Sequence, residues 1–66
     1  MQGLRKIREE MRISQAELAQ ALKVRQTTVS MWESGKNMPR ADKLPELARI
    51  LGCAIGDLYG DGEESA

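Results

Sequence analysis

The sequence predicts a small all-α domain, and three observations carry that prediction. Apolar residues recur at α-helical spacing in four stretches, the pattern of helices that bury one face. No segment alternates apolar and polar residues with the period of two that a half-buried strand requires. A chain of 66 residues has room for one domain with one small core. We therefore expect a compact five-helix domain over residues 1–60.

The first two helices are predicted from an apolar stripe and from a capping motif. In helix 1, Leu4, Ile7 and Met11 follow the i, i+3, i+7 spacing, so we expect them to face the core. Helix 2 starts at a capping box in which Ser14 and Glu17 each satisfy a backbone N–H group. The predicted buried stripe of helix 2, which ends near residue 22, consists of Leu18, Ala19 and Leu22.

A three-residue connection, residues 23–25, separates helix 2 from helix 3. So short a connection makes the two helices meet at a steep angle. On helix 3, Val29 and Trp32 face inward, and Gly35 ends the helix as a C-terminal cap. The opposite face of helix 3 is formed by Gln26, Thr27, Ser30, Met31 and Ser34.

Two further helices complete the predicted fold. Proline is tolerated only in the first turn of a helix, so Pro45 requires helix 4 to start between about Arg40 and Lys43. The buried stripe of helix 4, closed by a glycine, is Leu44, Leu47, Ala48 and Leu51. A short helix 5, from about Ile55 to Tyr59, is expected to lay Ile55 and Leu58 against the core.

Charge is distributed unevenly along the chain. The formal net charge is zero, but residues 1–56 carry ten basic and six acidic side chains, a balance of +4. Residues 61–66 are predicted to be an acidic, disordered tail because they combine Gly, Asp, Glu and Ser. The zero total argues against a nucleic-acid partner, and the uneven distribution weakens that argument.

Composition excludes several classes of function. With no histidine and with Cys53 as the one cysteine, we expect no disulfide, no metal site, no cofactor and no enzymatic activity, because no nucleophile has a base beside it. Cys53 is interpreted as a small core residue, and no small-molecule ligand is evident. No apolar run approaches the roughly 20 residues of a membrane span. We expect a cytoplasmic, nucleoid-associated protein without a membrane partner.

The outward face of helix 3 has the chemistry of a DNA-reading surface. A second helix that follows a three-residue turn can enter the major groove of double-stranded DNA. Glutamine can pair with adenine through two hydrogen bonds, and Thr or Met methyl groups can touch the thymine methyl group. We therefore predict base contacts from Gln26, Thr27 and Met31, with Ser30 beside them. The alternative, a solvated helix surface, would favour Glu and Lys, which this face does not contain.

Phosphate contacts are expected from the groups that flank helix 3. Gln15 stands at the N-terminus of helix 2, where unpaired N–H groups and the helix dipole favour an anion. Arg25 and Lys36 stand at the two ends of helix 3, and Asn37 and Arg40 extend the surface. Each of these residues has an alternative interpretation as an ordinary solvated side chain.

Several of these segments together resemble the Cro/repressor (XRE-type) helix-turn-helix family, which includes the lambdoid phage repressors. The resemblance lies in Ile13-Ser-Gln-Ala-Glu-Leu-Ala-Gln-Ala-Leu22, Thr28-Val-Ser-Met-Trp-Glu-Ser-Gly-Lys36 and Leu44-Pro-Glu-Leu-Ala48, and it covers about residues 4–59. It implies a five-helix, lambda-repressor-like fold with helices 2 and 3 as the helix-turn-helix. It also implies operator binding as a homodimer, weak without DNA, and a structural ion pair between Arg8 and Glu33.

The sequence departs from the family pattern at three positions. Lys23 replaces the usual turn glycine, so we expect a left-handed residue there at a cost of about 1 kcal/mol. Arg25 and Ala54 stand where a hydroxyl side chain usually caps a helix. The leading hypothesis is a transcriptional regulator, most simply a repressor, that reads an inverted-repeat operator. The alternative is a protein-interaction adaptor or antitoxin on the same fold.

Overall fold

The computed structural model describes residues 1–60, and all regular structure within them is helical. The helices are α1 (Gln2–Glu10), α2 (Gln15–Leu22), α3 (Gln26–Ser34) and α4 (Leu44–Leu51), followed by a single 3₁₀ turn (Ile55–Leu58). The predicted all-α class is confirmed. The predicted acidic tail, residues 61–66, lies outside the described residues.

The fifth element is not an α-helix, so the expectation of five α-helices is not met. It consists of four residues, and 3₁₀ geometry is the usual form of so short a piece. Its first residue follows Ala54, which offers no side-chain acceptor; instead the Asp57 carboxylate accepts a hydrogen bond from the Ala54 N–H at 3.1 Å. Leu58 is fully buried, whereas Ile55 is 38% exposed, which corrects the expectation that both pack inward. Residues i and i+3 of a 3₁₀-helix share one face but stand about 6 Å apart along the axis, so burial of Leu58 does not require burial of Ile55.

The core lies where all the helices meet, and leucine dominates it. Trp32 is 4% exposed and packs within the same cluster as these leucines. The side chains with almost no exposure are Leu4, Leu18, Leu22, Val29, Leu47, Leu51 and Leu58. The predicted inward faces of α2 and α3 are therefore confirmed, and in α4 Leu47, Ala48 and Leu51 are buried while Leu44 is partly buried against the core.

Helix α1 differs from its prediction at its C-terminal end. Met11, expected to face the core, is 50% exposed because α1 ends at the preceding residue, Glu10. Leu4 is buried as predicted, Ile7 is partly buried against the core, and Gly3 and Arg8 complete the buried face of α1. The buried face of α1 therefore includes Arg8, the arginine that the family resemblance pairs with Glu33, and does not include Met11.

Backbone geometry fixes the connections between helices. Lys23 adopts the expected left-handed conformation (φ 60°, ψ 42°), and its N–H donates to the carbonyl of Gln20 at 3.2 Å. Arg12, in the turn between α1 and α2, is also left-handed (φ 58°), which the sequence did not predict. Helix α4 begins at Leu44, one residue after the predicted window, because residues 41–43 form a separate turn.

Two further contacts join the ends of helices. The Lys43 ammonium donates to the carbonyl of Leu22 at 3.0 Å, so the side chain before α4 caps the last turn of α2. The N-terminal ammonium of Met1 donates to the carbonyl of Trp32 at 2.7 Å. Both place a positive charge at the negative end of a helix dipole, which is favourable.

Candidate nucleic-acid interface

Helices α2 and α3 form a tight two-helix unit around the left-handed Lys23. The N–H of Val24 donates to the carbonyl of Ala19 at 2.9 Å, which closes the end of α2. Arg25 precedes α3 in extended conformation (φ −79°, ψ 152°) and makes no side-chain capping bond, as expected from the absence of a hydroxyl there. Since Val29 and Trp32 anchor one side of α3 in the core, the opposite side faces outward.

The outward side of α3 carries the four residues predicted to contact bases. Gln26, Thr27 and Ser30 are exposed, whereas Met31 is only half-exposed. The Met31 sulfur accepts a weak hydrogen bond from the Asn37 side-chain amide at 3.8 Å. The Met31 carbonyl also accepts from the backbone N–H groups of residues 35–37. Met31 therefore holds the loop after α3 in place and offers less free surface than the other three.

A chain of hydrogen bonds connects this face to the interior. The side-chain amide of Gln26 donates to the side-chain oxygen of Gln15 at 3.5 Å. The amide of Gln15 in turn donates to the Glu33 carboxylate at 3.0 Å. Sequence reasoning placed Gln15 at the surface but missed both contacts, which join residues 11 and 18 positions apart and leave no local signal.

This series of hydrogen bonds ends, on its inner side, at an ion pair between α1 and α3. Arg8 Nε donates to Glu33 Oε2 at 2.6 Å and Arg8 Nη2 donates to Glu33 Oε1 at 3.2 Å. The third donor, Arg8 Nη1, reaches the carbonyl of Ile13 at 2.8 Å. The two side chains are 11% and 5% exposed. The pair thus ties α1, the α1–α2 turn and α3 together.

The electrostatics of the pair favour a permanently charged arginine. Hydrogen bonding to Glu33 raises the pKa of Arg8 above its ordinary value and outweighs the opposing effect of burial. Because arginine already titrates far above neutral pH, Arg8 keeps its charge under all ordinary conditions.

The residues predicted to contact phosphate frame α3 at both ends. Arg25 lies immediately before α3, and Lys36 and Asn37 follow Gly35, where the helix ends with φ 89°. Arg40 starts the turn into α4, where its carbonyl accepts from the Lys43 N–H at 2.9 Å. The side chains of Arg25, Lys36, Asn37 and Arg40 are all exposed.

Other kinds of site find little support in the described part of the chain. Among residues 1–60, no three His, Cys, Asp or Glu residues come close enough to hold a metal ion. Cys53 is half-buried, and burial, followed by the charge of Asp57, raises the pKa of its thiol. A thiol with a raised pKa is a poor nucleophile at neutral pH. None of the helices in residues 1–60 has the length and apolar character needed to cross a membrane.

The geometry of α2 and α3 defines the class of protein. Two helices joined by a three-residue turn, with the second helix turning a polar face outward, form a helix-turn-helix, a motif typical of DNA-binding proteins. A helix-turn-helix family model matches residues 4–58. The chain belongs to this family, the XRE-type helix-turn-helix proteins, a family of DNA-binding transcription regulators.

Two curated proteins show what the chain is similar to. It is 40% identical to the "26 kDa repressor protein" of Escherichia phage HK022 over 50 residues, which cover 76% of this chain and 21% of that protein. It is 34% identical to the "HTH-type transcriptional activator BcrR" of Enterococcus faecalis over 61 residues, which cover 92% of this chain and 29% of that protein. The chain therefore spans less than a third of the length of either relative. No solved structure matched the chain.

Proposed function

We propose that this chain binds double-stranded DNA sequence-specifically, with α3 in the major groove, and regulates transcription from the bound site. Gln26, Thr27, Ser30 and Met31 contact the bases. The observation that carries the proposal is the series of hydrogen bonds from Gln26 through Gln15 to Glu33, which favours one orientation of an exposed polar side chain.

The orientation of both amide groups follows from the carboxylate. A carboxylate only accepts hydrogen bonds, so Gln15 must turn its nitrogen toward Glu33 and its oxygen toward Gln26. Gln26 must then donate one N–H to that oxygen. Its own oxygen and its second N–H remain for a base, and this acceptor–donor pair matches N6 and N7 of adenine in the major groove.

Holding Gln26 in place before binding favours affinity as well as specificity. A free glutamine loses rotamer freedom when a complex forms, and that loss weakens binding. Here the 3.5 Å contact with Gln15 already favours one position of the side chain, so part of that loss is avoided. Gln15 itself keeps a second N–H, which at the N-terminus of α2 can donate to a DNA phosphate.

Phosphate contacts supply most of the affinity in this proposal. Arg25, Lys36, Asn37 and Arg40 are exposed at the two ends of α3, where the strands that border a major groove run. The overall neutral charge does not oppose this role. Three of the ten acidic side chains belong to residues 61–66, so residues 1–60 carry ten basic and seven acidic side chains.

Two copies are proposed to bind one operator as a homodimer. A two-fold dimer places its recognition helices about 34 Å apart, in successive major grooves of an inverted repeat. Met38 is 52% exposed in the loop after α3 and Ile55 is 38% exposed, so both offer apolar surface to a second copy. We propose repression as the outcome, because occupying a promoter needs no surface beyond the DNA-binding one.

The proposal is tested by selecting bound duplexes from a random DNA library and titrating the enriched site at several salt concentrations. We expect an inverted repeat and an affinity that falls steeply with salt. Gln26→Ala should cost about 1–3 kcal/mol and relax the preference at one position of each half-site. Gln20→Ala, an exposed glutamine on α2, is the matched control and should bind normally.

The same experiment can reject the proposal that the chain binds DNA. If no sequence is enriched and binding does not depend on salt, the DNA-binding proposal is rejected. A protein partner, as in the adaptor or antitoxin hypothesis, would then be sought by pull-down with the same Gln26→Ala variant as a comparison.

A further inference from the structure

We infer that the cleft between α1 and α3 is an additional phosphate-binding site, in which Arg5 supplies the positive charge. The inference rests on the proposed DNA-binding function and extends the contact surface from the helix-turn-helix onto α1. Arg5 belongs to an exposed face of α1 that carries no motif, so nothing in the sequence distinguishes it from its neighbours.

The cleft has a volume of about 310 Å³ and opens beside the base-reading face. Arg5 and Glu9 line it from α1, and Ser30 and Ser34 line it from α3; all four are exposed. Ser30 also belongs to the outward face of α3. A duplex that receives α3 in its major groove therefore brings sugar-phosphate backbone close to the mouth of the cleft.

The floor of the cleft is electrostatically balanced. It is formed by Arg8 and Glu33, whose two mutual hydrogen bonds neutralise each other's charge. Gln15 also lines the cleft and donates to the same carboxylate. Since the floor is neutral, the two charges at the rim, Arg5 and Glu9, decide whether an anion is attracted.

The ion pair between Arg5 and Glu9 is weak enough for Arg5 to leave it and bind a phosphate. Arg5 Nε lies 3.3 Å from Glu9 Oε2, and the two side chains are 67% and 56% exposed. Pairs this exposed contribute little to stability, so Arg5 loses little when it leaves Glu9. The guanidinium group can then hold a phosphate through two parallel hydrogen bonds, and the Ser30 hydroxyl can donate to the same group.

The test uses four single variants of the whole chain on the enriched duplex. Arg5→Ala removes the proposed contact, and Lys6→Ala removes the same charge from the neighbouring residue, which lines a different groove with Leu51 and Cys53. Glu9→Gln removes the carboxylate that competes with phosphate for Arg5. Glu10→Gln removes one negative charge from the other groove, the one that Lys6 also lines. All four residues are exposed, so each variant is expected to fold, as circular dichroism would verify.

We expect Arg5→Ala to lower the slope of log affinity against log salt by about 0.9, so that the wild type gains roughly 3.5-fold more than the variant between 200 and 50 mM salt. Lys6→Ala should leave the slope unchanged. Glu9→Gln should tighten binding roughly 1.4-fold to 5-fold, because Arg5 no longer has a surface pair to break, and Glu10→Gln should not.

Two results would overturn the inference. An unchanged slope in Arg5→Ala would show that Arg5 meets no phosphate, and equal shifts in Arg5→Ala and Lys6→Ala would show only a general effect of charge. Both results require that the wild-type protein bind its enriched duplex. Absence of binding by the wild type is the separate result that rejects the proposed function itself.

Discussion

Replacing Glu33 by alanine removes one partner of the buried ion pair and leaves the charge of Arg8 inside the protein. Three hydrogen bonds are lost, two from Arg8 and one from Gln15. The side chains of the pair are 11% and 5% exposed, so water cannot simply replace the lost carboxylate. The guanidinium keeps only its bond to the carbonyl of Ile13.

The expected loss of stability is large for a domain of this size. Breaking a buried pair by removing one partner costs about 3–5 kcal/mol. We expect about 3 kcal/mol, the lower end of this range, because Arg8 keeps its hydrogen bond to the carbonyl of Ile13 and its side chain is 11% exposed. The total stability of a 66-residue domain is about 3–10 kcal/mol. Glu33→Ala should therefore lower Tm by about 12–24 °C or leave the chain largely unfolded.

The assay is urea and thermal unfolding followed by circular dichroism and by the fluorescence of Trp32, the one tryptophan, which is buried on α3 next to Glu33. Glu10→Ala, an exposed glutamate on α1, is the control and should melt like the wild type. The double variant Arg8→Met with Glu33→Leu should recover most of the stability lost in Glu33→Ala, because no charge is stranded.

Unchanged melting of Glu33→Ala would refute this reasoning, since it would mean that the stranded guanidinium finds solvent at no cost. A double variant as unstable as Glu33→Ala alone would also contradict it, because the loss would then arise from packing and not from an unpaired charge.

Three further predictions concern the backbone and the thiol. Lys23→Gly should raise stability by about 0.5–1 kcal/mol in urea unfolding, because glycine removes left-handed strain at φ 60° and Lys23→Ala, the control, does not. Gly3→Ala should destabilise by about 1–3 kcal/mol, since a methyl group there would overlap the carbonyl oxygen of Asp57 and lie 2.7 Å from the amide nitrogen of Gly60, whereas Gly56→Ala meets open space and should melt normally. Cys53 should react with iodoacetamide at pH 7.5 more slowly in the folded protein than in urea, because burial raises the pKa of the thiol; equal rates would contradict this.

Local signals in the sequence predicted the parts of the fold that depend on local chemistry. The capping box is present, with the Glu17 N–H donating to Ser14 Oγ at 3.0 Å and the Ser14 N–H donating to the Glu17 carboxylate at 2.8 Å. The left-handed Lys23 and the glycine ends of α3 and α4 also follow from residue type and position. These features need no knowledge of distant residues, so a single sequence suffices to predict them.

The burial predictions for Met11 and Ile55 were wrong because an apolar pattern does not show where a helix ends. Met11 fits the stripe of α1, but the helix stops one residue earlier and the side chain projects past the core. Ile55 fits the stripe of a fifth α-helix, but the element is a single 3₁₀ turn. The contacts of Gln15 were missed for a related reason, since a glutamine at a helix start has the same local pattern whether or not a distant carboxylate lies beside it.

The two sides of α3 tolerate substitution to different degrees. Its inner side is committed to the fold through Val29, Trp32 and Glu33, while Thr27 and Ser30 on its outer side are exposed. Exposed substitutions of this kind usually change stability by less than about 0.5 kcal/mol. Under the proposed function, a lineage carrying this domain can therefore exchange outer residues one at a time and acquire a new target while the scaffold stays intact.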